Sequence, residues 1–191
     1  MKKLYLASTS PRRKELLKQI VGNNFSIISS DFEEDNELKV SPSRLAVINS
    51  RGKARAAAEK LKSGIVIGCD TFVWHEGFLG KPHTVAKARQ TLKKISGKVV
   101  KIYSGLTVID VDNNQEITDV AITKLYMKKL SKQEIDHYIA ADNPLDNAGA
   151  FKIQEKGALL VERIGGCYNN VVGLPLFMLG QILTKMRVDL L

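Results

Sequence analysis

Apolar residues fall along the chain in short bursts separated by longer amphipathic stretches. Residues 3–7 read as a first strand. Ser10-Pro11 then gives an N-cap with proline at the first helical position, opening a helix to about residue 20. Residues 25–29 form a second short strand and residues 31–37 an acidic loop. Ser41-Pro42 repeats the helix-start signature, for a helix running to about residue 61. Residues 65–69 are a continuous apolar run of the kind a buried strand shows, with Asp70-Thr71 at its carboxyl end. A hairpin is expected over residues 72–79 around Glu76-Gly77, then a helix over 84–95 that stops at Gly97.

Two longer strands, 99–109 and 116–126, flank the polar turn Asp112-Asn113-Asn114. Ser131 and Glu134 have capping-box spacing and start a helix reaching about residue 140. After the Asn143-Pro144 turn come a segment with Gly149 and Gly157, a last strand over 159–164, and a final helix from near Leu174-Pro175. Strands and helices mix throughout with several hairpin-like links, which predicts an α/β fold built on a mixed sheet with flanking helices.

Length and composition narrow the classes. The chain has 191 residues, 44% of them hydrophobic, enough for one domain over residues 1–191 or two small lobes sharing a core. Its apolar runs are too short to span a bilayer, and the Met-Lys-Lys start leads into strand-like sequence rather than a signal peptide. Cys69 and Cys167 lie far apart and match no metal spacing, as expected of core residues in a reducing compartment, so the cytoplasm is the expected location. Lys and Arg outnumber Asp and Glu by 29 to 20, a formal charge of +9 that admits anionic ligands without choosing among them.

Five segments could carry chemistry. In Ser8-Thr9-Ser10-Pro11-Arg12-Arg13, two arginines stand in a helical first turn, where the macrodipole favours acidic residues. Hydroxyls, free N–H groups and guanidinium forks there suit an anion, although exposed arginines on a helix end would read the same way. Asp70 could bind a divalent cation or accept a proton from attacking water, or simply cap the following turn. Lys81, between Gly80 and Pro82, could meet a phosphate as a point charge or stand on an ordinary turn; it is not part of a P-loop. In residues 146–154, Gly149 permits close backbone approach, and Gln154 offers both a donor and an acceptor to a base edge. Residues 168–175 read as a structural strand-to-helix corner.

In order, these segments resemble the Maf family of nucleoside triphosphate pyrophosphatases. The resemblance runs from Leu6-Ala7-Ser8-Thr9-Ser10-Pro11-Arg12-Arg13 through Lys53-Ala54, Gly68-Cys69-Asp70-Thr71, Gly80-Lys81-Pro82 and Ser96-Gly97. It continues in Pro144-Leu145-Asp146-Asn147-Ala148-Gly149-Ala150 and Asn170-Val171-Val172-Gly173-Leu174-Pro175. It implies a Maf/ITPase-like fold, with a twisted mixed sheet and two lobes around a central cleft, and frequent homodimerisation. It also implies hydrolysis of a nucleoside triphosphate to monophosphate and pyrophosphate with Mg²⁺ or Mn²⁺. On this likeness Asp70 is the catalytic carboxylate, and Asp70 with Glu33, of the acidic pair Glu33-Glu34, holds the metal. Ser8, Arg12, Arg13, Lys53 and Lys81 hold the substrate's phosphates.

Arg12, Thr71 and Gln154 match the branch of the family that acts on dTTP and UTP. The branch acting on 7-methyl-GTP has an aromatic residue, Gln and Glu there. Asn147, Phe151 and Lys152 depart from the pyrimidine pattern (Lys, Tyr and Gly), and Cys167 stands where the family commonly has Asp. A nucleic-acid-binding module is the rival from another class, supported by net charge and the basic helix around Arg51, Lys53 and Arg55. With 6% aromatic residues and no binding signature, the chain offers no stacking platform, so no stable nucleic-acid partner is expected, and no membrane partner either.

Overall fold

The computed structural model describes residues 2–188 and residue 190. Among the described residues, seven strands and six α-helices follow one another as β1 (Leu4–Leu6), α1 (Pro11–Val21), β2 (Phe25–Ile27), α2 (Pro42–Ala58), β3 (Ile65–Trp74), β4 (Phe78–Leu79), α3 (Val85–Ile95), β5 (Val99–Asp110), β6 (Gln115–Met127), α4 (Lys132–Asp142), β7 (Val161–Gly165), α5 (Tyr168–Val172) and α6 (Leu176–Lys185). The strands belong to one mixed sheet in the order β2-β1-β3-β5-β6-β7, with β4 beside β3. β1 pairs parallel with β2 and β3, whereas β3–β4 and β6–β7 are antiparallel, the latter with a register shift at Tyr126/Met127. The α/β class and the mixed sheet read from the sequence are those of the molecule. No helix among the described residues is long and apolar enough to cross a membrane.

The contacts divide the chain into two compact units. The first comprises residues 1–71, 104–121 and 173–191; the second comprises residues 72–103 and 122–172. In the first unit β1 and the start of β3 are buried, as expected of parallel strands covered by helices. α2 lies unusually close to the sheet, because small residues face each other there. A Cβ added at Gly105 would stand 1.9 Å from the Ala46 carbonyl oxygen, and one at Gly68 would stand 2.7 Å from the Ala54 Cβ. Ala54 and Ala57 then pack with Ala7, Val66 and Ile109 in a core cluster. In the second unit α3 packs on α4. The capping box is present: the Ser131 N–H donates to Glu134 Oε2 at 2.8 Å, and the Glu134 N–H donates to Ser131 Oγ at 3.2 Å.

Several boundaries differ from the sequence reading, each for a local reason. β3 does not end at Cys69 but runs on to Trp74, so Asp70 is inside a strand rather than at its mouth. Ser10 occupies the N-cap of α1 without a side-chain cap; its N–H instead donates to Ser8 Oγ at 3.2 Å. Leu159 and Leu160 belong to a 3-10 turn (Glu155–Leu160), so β7 starts only at Val161. The corner at 168–175 contains the short helix α5, and the last helix begins at Leu176.

Candidate active site

The site in the first unit is built on α2 and β3. Asn49 and Lys53 are four residues apart, on one face of α2, and the small-residue contact with the sheet brings that face onto Asp70. Asp70 is only 5% exposed. Lys53 Nζ donates to Asp70 Oδ1 at 2.7 Å, and Asn49 Nδ2 donates to Asp70 Oδ2 at 3.0 Å and to Asn36 Oδ1 at 3.1 Å. Lys53 also pairs with the Glu34 carboxylate. An ammonium has three donors, so two carboxylates leave Lys53 one more N–H for a third anion. Asn49 Oδ1 is buried without a hydrogen-bond partner among the described residues.

A second cluster gathers around one backbone carbonyl. Gly173 has φ +134°, a conformation that side chains other than glycine's resist, and its oxygen receives three donors. These are Arg13 Nε at 2.9 Å, Thr71 Oγ1 at 3.2 Å and Cys69 Sγ at 3.4 Å. Arg13 Nη1 also donates to Ser8 Oγ at 3.3 Å, and the Thr71 hydroxyl shares a 2.6 Å hydrogen bond with Ser104. Burial pushes the Cys69 thiol above its ordinary pKa, and the Arg13 charge opposes that shift. Cys69 is therefore an inert, protonated core residue. Arg12 is exposed on the first turn of α1.

The structure thus brings Ser8, Arg13, Lys53, Asp70 and Thr71 into two adjoining hydrogen-bonded groups. It adds Asn49, Ser104 and Glu34. Glu33, by contrast, is exposed and makes no hydrogen bond or ion pair among the described residues; its neighbour Glu34 faces Lys53. Asn49 had one legible signal, a polar residue four positions before Lys53 on an otherwise small, apolar helix face. Among the described residues no group of three or more His, Cys, Asp or Glu side chains converges as a metal cage. Two carboxylates sharing one cation and an orphaned buried amide oxygen do fit Mg²⁺ or Mn²⁺, which take hard oxygen donors and complete their shells with phosphates and water.

Lys81 and Gln154 lie in the second unit. Lys81 is exposed on a turn whose Gly80 carbonyl accepts the Gly149 N–H at 3.1 Å, which ties that turn to the 147–154 segment. Gln154 lines a cavity of about 640 Å³ with Ile153, Ala158 and Tyr168.

A mixed α/β sheet carrying a buried carboxylate held by lysine and asparagine, with arginine at a helix start, defines an enzyme-like site for an anionic ligand. The chain belongs to the family described as Maf-like protein, whose model matches residues 3–186. It is 46% identical over 190 residues to the dTTP/UTP pyrophosphatase of Methanosarcina mazei, covering 99% of this chain and 96% of that one. It is 43% identical over 195 residues to the dTTP/UTP pyrophosphatase of Clostridium botulinum, covering the whole of both, and 45% identical over 184 residues to that of Alkaliphilus oremlandii, covering 96% and 95%.

Proposed function

We propose that the protein is a cytoplasmic hydrolase that cleaves nucleoside triphosphates to the monophosphate and pyrophosphate, with dTTP and UTP as preferred substrates. The observation that carries this reading is the buried Asp70, whose two oxygens are fixed by Lys53 and Asn49 while Lys53 keeps a donor for phosphate. Full-length similarity to dTTP/UTP pyrophosphatases supports it.

A carboxylate has about four lone-pair sites, so Asp70 can hold both partners and still accept a proton. Water gives that proton to Asp70 as its oxygen bonds to the α-phosphorus. The bond from the α-phosphorus to the bridging oxygen breaks, and pyrophosphate departs carrying the electron pair. Lys53, Arg12 and Arg13 stabilise the charge that develops on the phosphates. A Mg²⁺ or Mn²⁺ ion held by Asp70 and Glu34, with Asn49 Oδ1 close by, would add positive charge at those oxygens. Lys81 acts as a further phosphate cation. Gln154 reads the base: its amide pairs with the N3–H and a carbonyl of thymine or uracil, a pattern that cytosine reverses.

Pyrophosphate release from a panel of triphosphates tests this directly. The wild type should cleave dTTP and UTP well ahead of dCTP, CTP and 7-methyl-GTP, because unpaired buried polar groups discriminate strongly. Asp70→Asn should lose at least ~10²-fold in kcat with its fold intact. Wild-type turnover in that variant would remove Asp70 from the mechanism, and preference for 7-methyl-GTP would overturn the reading of the base site.

A further inference from the structure

The segment that carries Gln154 lies wholly in the second unit, and its backbone is strained at the next residue. Glu155 has φ +55°, a region that residues with a side chain occupy only when the surroundings hold them there. The chain then doubles back tightly. The Gly157 N–H donates to the Gln154 carbonyl at 3.2 Å, and a Cβ at Gly157 would stand 1.7 Å from the Lys152 carbonyl oxygen.

Lys152 holds this turn from both sides. Its Nζ bonds Glu155 Oε2 at 2.7 Å and stands 3.6 Å from Asp142 Oδ1 at the end of α4. Its backbone N–H donates to the Tyr138 hydroxyl at 3.3 Å, also on α4. The Asp142 side chain is 5% exposed, and its Oδ2 has no hydrogen-bond partner among the described residues. A buried carboxylate is costly without a cation, so Asp142 draws the ammonium inward and fixes it. One lysine therefore ties α4 to Glu155, straddling Gln154. Gln154 and Glu155 both line the 640 Å³ cavity.

We propose that Lys152 is a positioning residue that sets base selectivity: by pairing with Asp142 and Glu155 it fixes the backbone turn from which the Gln154 amide reaches the base. The inference rests on Gln154 being the base reader. A carboxamide tells thymine from cytosine only while the backbone that carries it keeps it in register with the base edge; once displaced, it no longer meets the donor and acceptor that distinguish the two bases. Loss of the clamp therefore costs discrimination and substrate affinity rather than turnover. The Glu155 arm is mostly exposed, and exposed ion pairs add little stability, so breaking that arm leaves the fold standing.

Competition between dTTP and dCTP measures the effect as a ratio of kcat/KM values. Lys152→Met keeps the aliphatic stem and removes the charge. Its dTTP-over-dCTP ratio should fall at least ~10-fold, mainly through a higher KM for dTTP, with kcat within about twofold of wild type. Lys152→Arg should restore most of the ratio, because its fork can serve both carboxylates. Should Lys152→Met fail to fold, Glu155→Gln carries the test, with a smaller fall in the same ratio expected. Folded Lys152→Met or Glu155→Gln protein that keeps the wild-type ratio overturns the clamp. A Gln154→Glu variant separates the two ideas. If it too leaves the ratio unchanged, the reading of Gln154 fails and this inference with it; if it shifts the ratio while the clamp variants do not, the clamp alone fails.

Discussion

Asp70 meets two different partners, a cation on one oxygen and a neutral amide on the other. The ammonium pairs with the carboxylate's charge and the amide fixes its plane, the geometry the proposed proton transfer needs. Lys53 does this while shared with Glu34, so the second carboxylate controls where the ammonium sits. Removing Glu34's charge should disturb both the lysine and any cation held there. Glu34→Gln is expected to lower kcat/KM by about 10- to 100-fold and to raise the Mg²⁺ or Mn²⁺ concentration needed for half-maximal activity. Glu33→Gln should stay within about twofold, as expected where no charge-assisted bond is lost. Titration of activity against Mg²⁺ for both variants checks this; equal losses would show that the loop, not the individual carboxylate, matters.

At this scale Arg13 and Asp70 stand out in the sequence because their residue types are unusual for their places, whereas Lys53 and Thr71 enter only through the family resemblance. Paired arginines in a helical first turn and a carboxylate after an apolar run are conspicuous. The choice between Glu33 and Glu34 was not legible. The acidic loop has no periodicity to fix which side chain turns inward, and adjacent glutamates are chemically alike. Ser104 was silent for another reason: a serine inside a strand gives no sign that its hydroxyl will meet Thr71 across the sheet.

Among the elements, the starts of α2, α3 and α4 are legible because they carry capping chemistry. Ser41 and Thr84 accept the N–H groups of Arg44 and Lys87 at 3.3 Å and 3.2 Å, and Ser131 with Glu134 closes the box that opens α4. The apolar run at 65–69 ends at the charge of Asp70 and understates β3, in which Phe72, Val73 and Trp74 continue as strand formers. The close approach of α2 was hidden in plain sight, in Ala46, Ser50 and Ala54 facing Gly68 and Gly105.

The α4 box also predicts an acid dependence. The hydrogen bond from Lys128 (2.5 Å), with those from Ser131, holds the Glu134 carboxyl down at about 2, against an ordinary value of 4.5. A carboxyl depressed on folding contributes stability that is fully present above about 4.5 and is lost as pH falls through about 2. Melting temperature measured between those values should therefore fall more steeply for wild type than for Glu134→Gln. Parallel curves for the two proteins would mean that the box is open in solution.

Over the whole molecule, charge and architecture agree with a polyanionic substrate. A formal charge of +9 raises the local concentration of polyanions, and in the proposed reaction the buried Asp70 with its lysine is the place that acts on them. The α/β class was legible because alternating helix starts and apolar runs report connectivity. Two lobes were among the expectations, but their boundaries were not legible, because β3, β5 and β6 each run through both units without a break in pattern.

In the proposed reaction water attacks the α-phosphorus and Asp70 accepts its proton. Hydrolysis of dTTP in oxygen-18 water, with mass spectrometry of both products, locates the new bond. The expected result is label in the thymidine monophosphate and none in pyrophosphate, with both products forming at least ~10²-fold more slowly in Asp70→Asn. Label in pyrophosphate, or release of thymidine diphosphate and inorganic phosphate, would contradict it.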